Sequence, residues 1–388
     1  MGNKKRTLLF LLFIIFYLLF DNSIWAFDVG LTLDQNADYS GSGSDTAFSY
    51  KGLAISRISG LLGGTGEFYF SAGINYQNDP WSYIPELLRT ELSWQGSSLE
   101  LSLGRVMYSD PLGFIASGLF DGGRFSWHTE AGSFSAGAWY TGFIYKKRIS
   151  IEMTKSDEDS NNAAFDYNNF IGSYFAPRRS FAALEWEHQS IGESVYAKLS
   201  LLGQFDLTGA ELNSQYLIGK ISLPFSIFAF SFGGCFELME NSDNRDIAFA
   251  AEFGTAWQTA SQSLSLLARY SSAESASMAA FLPVTTNAHG QIYAAKLSGL
   301  SMLSLDYAAR LHRTFSIGLT PSYFFLSNIK KFSNNLLGAE FFAAIYWSPL
   351  PDINVNLGGG AFLPSLGNVT PEGKFLWRVE LNLVLSLF

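Results

Sequence analysis

The stretch LRTELSWQGSSLELSLG, residues 88–104, decides the fold. Leu88, Leu92 and Trp94 alternate with Arg89, Glu91 and Ser93, and Gln95-Gly96-Ser97-Ser98 then reads as a tight turn. Leu99, Leu101 and Leu103 follow, alternating with Glu100, Ser102 and Gly104. A period of two puts successive side chains on opposite faces of a strand. The segment is therefore predicted to be a β-hairpin with one apolar face, one polar face and a tryptophan beside its turn.

The same period recurs along the chain. EFYFSAGINY sets Phe68, Phe70, Ala72, Ile74 and Tyr76 against Glu67, Tyr69, Ser71, Gly73 and Asn75. ISLPFSIFAFSFGGCF, 221–236, is broken by Pro224 and Gly233-Gly234, so it is no membrane helix. It is predicted to turn at Leu223-Pro224 and continue as a strand with Phe228, Phe230, Phe232 and Phe236 on one face. Further strands are expected near 194–206, 211–223, 245–257, 263–271, 336–347 and 353–362. Parity is unbroken from Tyr293 through Ala295, Leu297, Leu303, Leu305, Tyr307 and Leu311, so 290–312 is predicted as one long strand. The count is then about 18 strands; boundaries drawn from periodicity also fit 16 or 20.

Composition says what the apolar faces meet. Only 15% of residues are charged, against 16% aromatic, including 35 Phe. That is well below the usual quarter for charged residues, too little for a surface wetted all round. Residues 1–26 carry Lys4, Lys5 and Arg6, an apolar run from Leu8 to Phe20 and a small residue, Ala26. This order predicts a secretory leader cleaved after Ala26, leaving 27–388 as one exported domain. Cys235 is the only cysteine, so no intramolecular disulfide staples the fold. The formal net charge is −9, which disfavours nucleic acid as a partner.

Three patterns turn the apolar faces toward lipid. Short turns (QGSS, TEAGS, SIGE, QTASQ, SPLPD) alternate with longer polar segments such as 146–178, 272–288 and 363–373. Trp94, Trp127, Trp186, Trp257 and Trp347 each stand just before a short turn on the apolar parity, as a girdle at one membrane interface would. The opposite parity mixes both signs: Glu67, Arg89, Glu91, Arg124, Glu185, Glu187, Lys198, Lys220, Glu252, Arg269, Lys296, Asp306, Arg310, Arg378 and Glu380. Inside a closed sheet these would line a lumen and set its selectivity.

With leader, amphipathic strands, asymmetric turns and a C-terminal strand LNLVLSLF ending on Phe388, the chain resembles bacterial outer-membrane β-barrel proteins of the porin-like channel class. The resemblance implies an all-β, antiparallel, up-and-down transmembrane barrel with short periplasmic turns and long extracellular loops. It implies residence in the outer membrane, contact with outer-membrane lipid, and a terminal Phe388 read by the barrel-insertion machinery. One departure is visible: Leu381, Leu383, Leu385 and Leu387 share a face, and Phe388 falls on the other.

No catalytic motif stands out. His128, His188, His289 and His312 lie far apart, and no nucleophile elbow, Walker loop or GxGxxG fingerprint occurs. Glu185 and Glu187 share a strand face and read better as lumen charges than as an acid–base pair. SDEDSNN, 156–162, lacks the glycine and terminal glutamate of a calcium loop and is expected to be a solvated external loop. No enzyme activity, cofactor or metal is predicted. The segment 146–179, with Phe165, Tyr167, Phe170, Tyr174 and Phe175 between basic ends, reads either as an external loop or as a constriction folded into the lumen. The function expected is passive diffusion of small hydrophilic solutes, with slight cation preference from the acidic chain. A transporter of hydrophobic or lipid substrates, suggested by aromatics such as Trp139 and Tyr69, and a closed barrel acting as adhesin or receptor are the alternatives.

Overall fold

Strands form where the alternation is strong, and the sheet closes on itself, so that neither terminal strand is left as an open edge. The computed structural model describes residues 27–78, 81–192, 194–209, 212–241, 244–275, 278–328 and 334–387. The predicted leader, 1–26, and Phe388 lie outside them. The strands are β1 (Phe27–Ser42), β2 (Asp45–Leu62), β3 (Gly66–Asn78), β4 (Trp81–Gln95), β5 (Leu99–Ser109), β6 (Ser117–Thr129), β7 (Gly132–Tyr140), β8 (Arg179–Ile191) and β9 (Val195–Asp206). They continue as β10 (Asn213–Phe225), β11 (Phe228–Glu240), β12 (Arg245–Gln258), β13 (Gln262–Ser271), β14 (Leu300–His312), β15 (Phe315–Leu326), β16 (Leu336–Leu350), β17 (Ile353–Leu363) and β18 (Leu376–Leu387). Each pairs antiparallel with its chain neighbours in one 18-stranded sheet, and β1 pairs with β18 to shut it. At the seam Leu31, Leu33, Gln35 and Ala37 face Leu387, Leu385, Leu383 and Leu381.

The outward parity is the apolar one: Leu92, Leu99, Leu103, Phe125, Leu199, Leu217, Phe232 and Leu381 are all exposed. Turns at one end span two or three residues, as at 96–98, 130–131, 226–227 and 351–352. Trp94, Trp127, Trp186, Trp257 and Trp347 take the outward parity beside that end, opposite Gly66, Phe134, Phe134, Phe228 and Phe315 in neighbouring strands.

Four local expectations are corrected. Leu88 points inward and is buried, and its neighbour Leu87 points outward, because a register shift against Phe70 and Ala72 changes the parity of β4. The hairpin after β10 turns at Ser226 (φ 57°) and Ile227; Pro224 stays in the ladder, opposite Ala229. Residues 290–299 are not strand: β14 begins at Leu300, and Ala295 and Leu297 alternate because they are buried against other interior residues. Finally, 155–162 is no solvated loop but a helix, α1 (Lys155–Asn162). Thr154 caps it reciprocally with Asp157, whose buried carboxylate accepts from Arg179 at 2.6 Å. A second short helix, α2 (Phe170–Tyr174), follows.

β5, β7 and β13 are short, with 11, 9 and 10 residues, so the chain leaves the wall early and lies inside at 110–116, 141–178 and 278–299. Leu112 reaches the mid-strand Gly233 of β11, occupying the space a Cβ would need there. Apolar side chains of these segments (Ile115, Ile151, Met153, Phe281, Val284) form one cluster with inward wall residues Tyr108, Phe120, Phe181, Tyr216 and Ile218. Between β4 and β5 the ladder is incomplete. Only Thr90–Gln95 and Glu100–Arg105 pair, and above that level β4 bonds to β3 alone and β5 to β6 alone. Gly104 (φ 114°) sits at this fork, where a Cβ would collide with the Thr90 carbonyl.

Leu383 faces outward and Asn382 inward toward Asp34 at 2.7 Å. Leu383→Arg is expected to cost about 2–4 kcal/mol of folding stability in lipid, whereas Asn382→Arg, next to a carboxylate, costs far less. Urea-dependent folding into vesicles, read by heat-modifiable gel mobility, measures the difference.

Candidate functional site

The interior is built around a crossbar, residues 278–299. Near its start the Leu282 amide donates to Glu237 of β11 at 2.9 Å, and its carbonyl accepts from the Tyr216 hydroxyl at 2.7 Å. The Thr285 and Thr286 amides then donate to the carbonyls of Ile115 and Ser150, joining the crossbar to the other two inward segments. At the far side Glu340 of β16, itself buried, accepts from the amides of Gln291, Ile292 and Tyr293 at 2.7, 3.0 and 2.7 Å. One carboxylate thus satisfies three successive N–H groups, which a segment crossing the lumen outside any sheet would otherwise leave unpaired. Asp110 does the same within its own loop, accepting from Leu112, Gly113, Ile115 and Ala116 at 2.8–2.9 Å.

The sequence-predicted lumen residues fall into two groups. On the side filled by the apolar cluster they neutralise one another. Arg124 bonds Glu185 at 2.9 Å, Lys198 approaches Glu185 at 3.4 Å and Glu187 at 3.9 Å, and Lys220 and Arg269 share Glu252. Trp139 is buried in that cluster, stacked on Phe181. The other group lines polar cavities along β1–β4 and β18. Near the short-turn end, a cavity of about 390 Å³ holds Glu67, Arg89 and Glu91 with Asp28 and Tyr69. Arg89 bonds Glu91 at 2.6 Å and lies 4.9 Å over the Tyr69 ring. At the opposite end, a cavity of about 570 Å³ is lined by Asp38, Asp45, Lys51, Ile292 and Arg378. Arg378 there bonds Asp38, and Glu380 at 2.9 Å. Asp306 accepts from Thr320 at 2.8 Å, and Arg310 is exposed near the short-turn end of β14.

Lys296 is not a wall residue. It sits on the crossbar and clamps it to the 141–178 segment through Glu152 at 2.8 Å and Glu158 at 3.0 Å. That segment packs inside, tied by Arg148 to Glu86 of β4 at 2.5 Å and by Asp157 to Arg179. Arg105 and Asp121 form a second fork-shaped pair beside it at 2.8 Å. Periodicity reading passed over Glu86, Asp110, Glu237 and Glu340, whose partners are backbone amides or residues distant in the chain. It also passed over Lys51 and Arg57, and over Asp28, Asp34 and Asp38, although DVGLTLDQNAD, 28–38, alternates plainly enough to reveal the three aspartates. Among the described residues, no group of three or more His, Cys, Asp or Glu is placed to hold a metal ion.

The closed antiparallel barrel of 18 strands, with apolar outside and charged inside, has the fold of outer-membrane porins. Among solved structures it is similar to Pseudomonas aeruginosa OccK2 (OpdF) in complex with glucuronate: TM-score 0.62 and 12% identity, over 93% of this chain and 96% of that one. It is likewise similar to Pseudomonas aeruginosa OccK5 (OpdH), with TM-score 0.62, 10% identity and coverage of 93% and 99%. Acinetobacter baumannii OccAB1 gives 0.60, 11%, 93% and 97%. No family model matches the chain, and no curated protein is similar to it in sequence.

Two measurements test the interior. Asp157→Leu leaves Arg179 buried without its main partner, a loss expected to cost about 3–5 kcal/mol where it acts. The 141–178 segment should then become cleavable by protease while the barrel keeps its gel mobility. His289 accepts from Arg269 at 2.8 Å through Nδ1, and burial together with that guanidinium pushes its pKa from 6.5 down to about 4. Between those two values the unfolded chain binds a proton that the folded chain does not. Stability therefore falls as pH drops from about 6.5 toward 4. Thermal unfolding followed across this window should show the slope, and His289→Gln should flatten it.

Proposed function

We propose that the protein is an outer-membrane channel through which small hydrophilic solutes diffuse along the polar side of the lumen, past β1–β4 and β18. The observation that carries this reading is the division of the interior: one side is sealed by an apolar cluster, the other keeps charged cavities near both ends. The glucuronate in the OccK2 structure, a small polar acid, is in keeping with a barrel of this shape serving such solutes. Passive passage rather than catalysis agrees with Glu185 and Glu187 being held by Arg124 and Lys198. In this reading the five outward tryptophans anchor the periplasmic interface, 1–26 is the export leader, and Phe388 serves the insertion machinery.

Selectivity would rest on the polar side. Asp28, Asp34, Asp38, Glu67, Glu91 and Glu380 there outnumber Lys51, Arg57, Arg89 and Arg378, which favours small cations slightly. Purified protein in planar bilayers should give discrete conductance steps and a reversal potential shifted toward the cation in a salt gradient. Glu340→Ala removes the three-amide anchor of the crossbar and should enlarge the steps. Absence of any steps from folded protein would refute the channel.

A further inference from the structure

The fork between β4 and β5 leaves a stretch of β4 paired with β3 on one side and with no strand on the other. Tyr83, Pro85 and Leu87 point their side chains outward and present backbone groups to the gap. Those groups are met by side chains instead of a ladder. The Tyr83 amide donates to the Tyr167 hydroxyl at 2.8 Å, and that hydroxyl donates to the Tyr83 carbonyl at 3.1 Å. The Tyr174 hydroxyl donates to the Pro85 carbonyl at 2.7 Å, and Arg105 donates to the Leu87 carbonyl. Pro85 has no amide to offer, as suits an edge position.

The filling of the gap is aromatic. Tyr145 and Phe175 form an isolated bridge within the 141–178 segment. Tyr174 packs on Phe170, Tyr145 and Phe165 with ring centroids 4.7, 5.0 and 6.3 Å away. On the outer side Trp81, Phe143 and Ile171 are 61%, 62% and 77% exposed, on a barrel whose outside is apolar. On the inner side the same filling bounds a third cavity, of about 520 Å³.

That cavity has two chemistries. Lys51, Lys146 and Lys147 line one part and Ile84, Tyr145 and Phe165 another, with no carboxylate in its lining. Lys146 is buried and donates to the Ser160 carbonyl, whereas Lys51 and Lys147 are exposed; Lys147 donates to the Asn161 carbonyl, and an ammonium has further donors to give. This positive patch stands against the acidic majority on the rest of the polar side.

We infer that the gap between β4 and β5 is a side port, closed by the aromatic part of the 141–178 segment, through which a single-chain amphiphile with an anionic head passes between this cavity and the surrounding lipid. Lys51 and Lys147 receive the head, and the tail lies against Ile84 and Phe165 and leaves through the port. Two tyrosine hydroxyls and one guanidinium hold the port shut, and rotating a side chain releases them without unzipping a ladder. This inference rests on the outer face being lipid-exposed, as the channel reading also requires.

The test uses the full mature chain folded into phospholipid vesicles that contain a diazirine-bearing lauric acid. After irradiation, labelled residues are mapped by mass spectrometry. Labelling is expected at Ile84, Tyr145 or Phe165, and Tyr167→Phe combined with Tyr174→Phe should raise it several-fold. Gel mobility of the double variant checks that the barrel stays folded. Labelling confined to Trp81, Phe143 and Ile171, or cavity labelling that the double variant leaves unchanged, overturns the port. Salt conductance of the same samples separates the two ideas. Steps without cavity labelling sink the port alone, and cavity labelling without steps sinks the channel alone.

Discussion

Every peptide group facing hydrocarbon must find a partner inside the protein, and the rest of this structure depends on that requirement. It shuts β1 on β18, because either strand left as an edge would expose a row of unpaired amides and carbonyls. It also bears on the fork where β4 and β5 part. Above Thr90 and Arg105 the strands diverge, and Tyr167, Tyr174 and Arg105 supply to β4 the bonds that a strand would have made. Side chains thus stand in at four backbone groups of β4 where β5 has moved away.

The same requirement governs the interior. Three segments that leave short strands must cross a lumen with their backbone polar groups unsatisfied by any sheet. Single carboxylates solve this: Asp110 gathers four amides of its own turn, and Glu340 gathers three of the crossbar. A fixed negative charge accepting several N–H groups holds a segment firmly. The apolar cluster then fills the space between those anchors. The lumen is thereby divided into a sealed side and a polar side, and it is the division, more than the barrel itself, that shapes what could pass.

Much of the wall was legible because alternation is a local signal. Leu99, Leu101 and Leu103 face out as their spacing predicts, and the tryptophans beside the short turns follow. Legibility failed where the partner was not local. Leu88 changed faces through a register shift against Phe70 and Ala72, which no property of β4 alone reveals. Tyr293, Ala295 and Leu297 alternate like a strand yet lie on the crossbar, since a surface inside a barrel can also sort side chains by period two. Asp157 looked like one more solvated acid in SDEDSNN; burial beside Arg179 makes it a structural anchor.

Sequence by itself determined the strand faces, the closed all-β architecture and the sorting of apolar from charged residues, because these follow from side-chain period and the cost of exposing apolar surface or backbone. Tertiary structure alone decided which charges are spent on one another and which remain facing open space. Arg124, Lys198, Lys220 and Arg269 are paired with Glu185, Glu187 and Glu252 from other strands, while Lys51 opens onto two cavities. A charge's role depends on what lies within a few ångströms of it, and in a barrel those neighbours come from strands and loops far away in the chain.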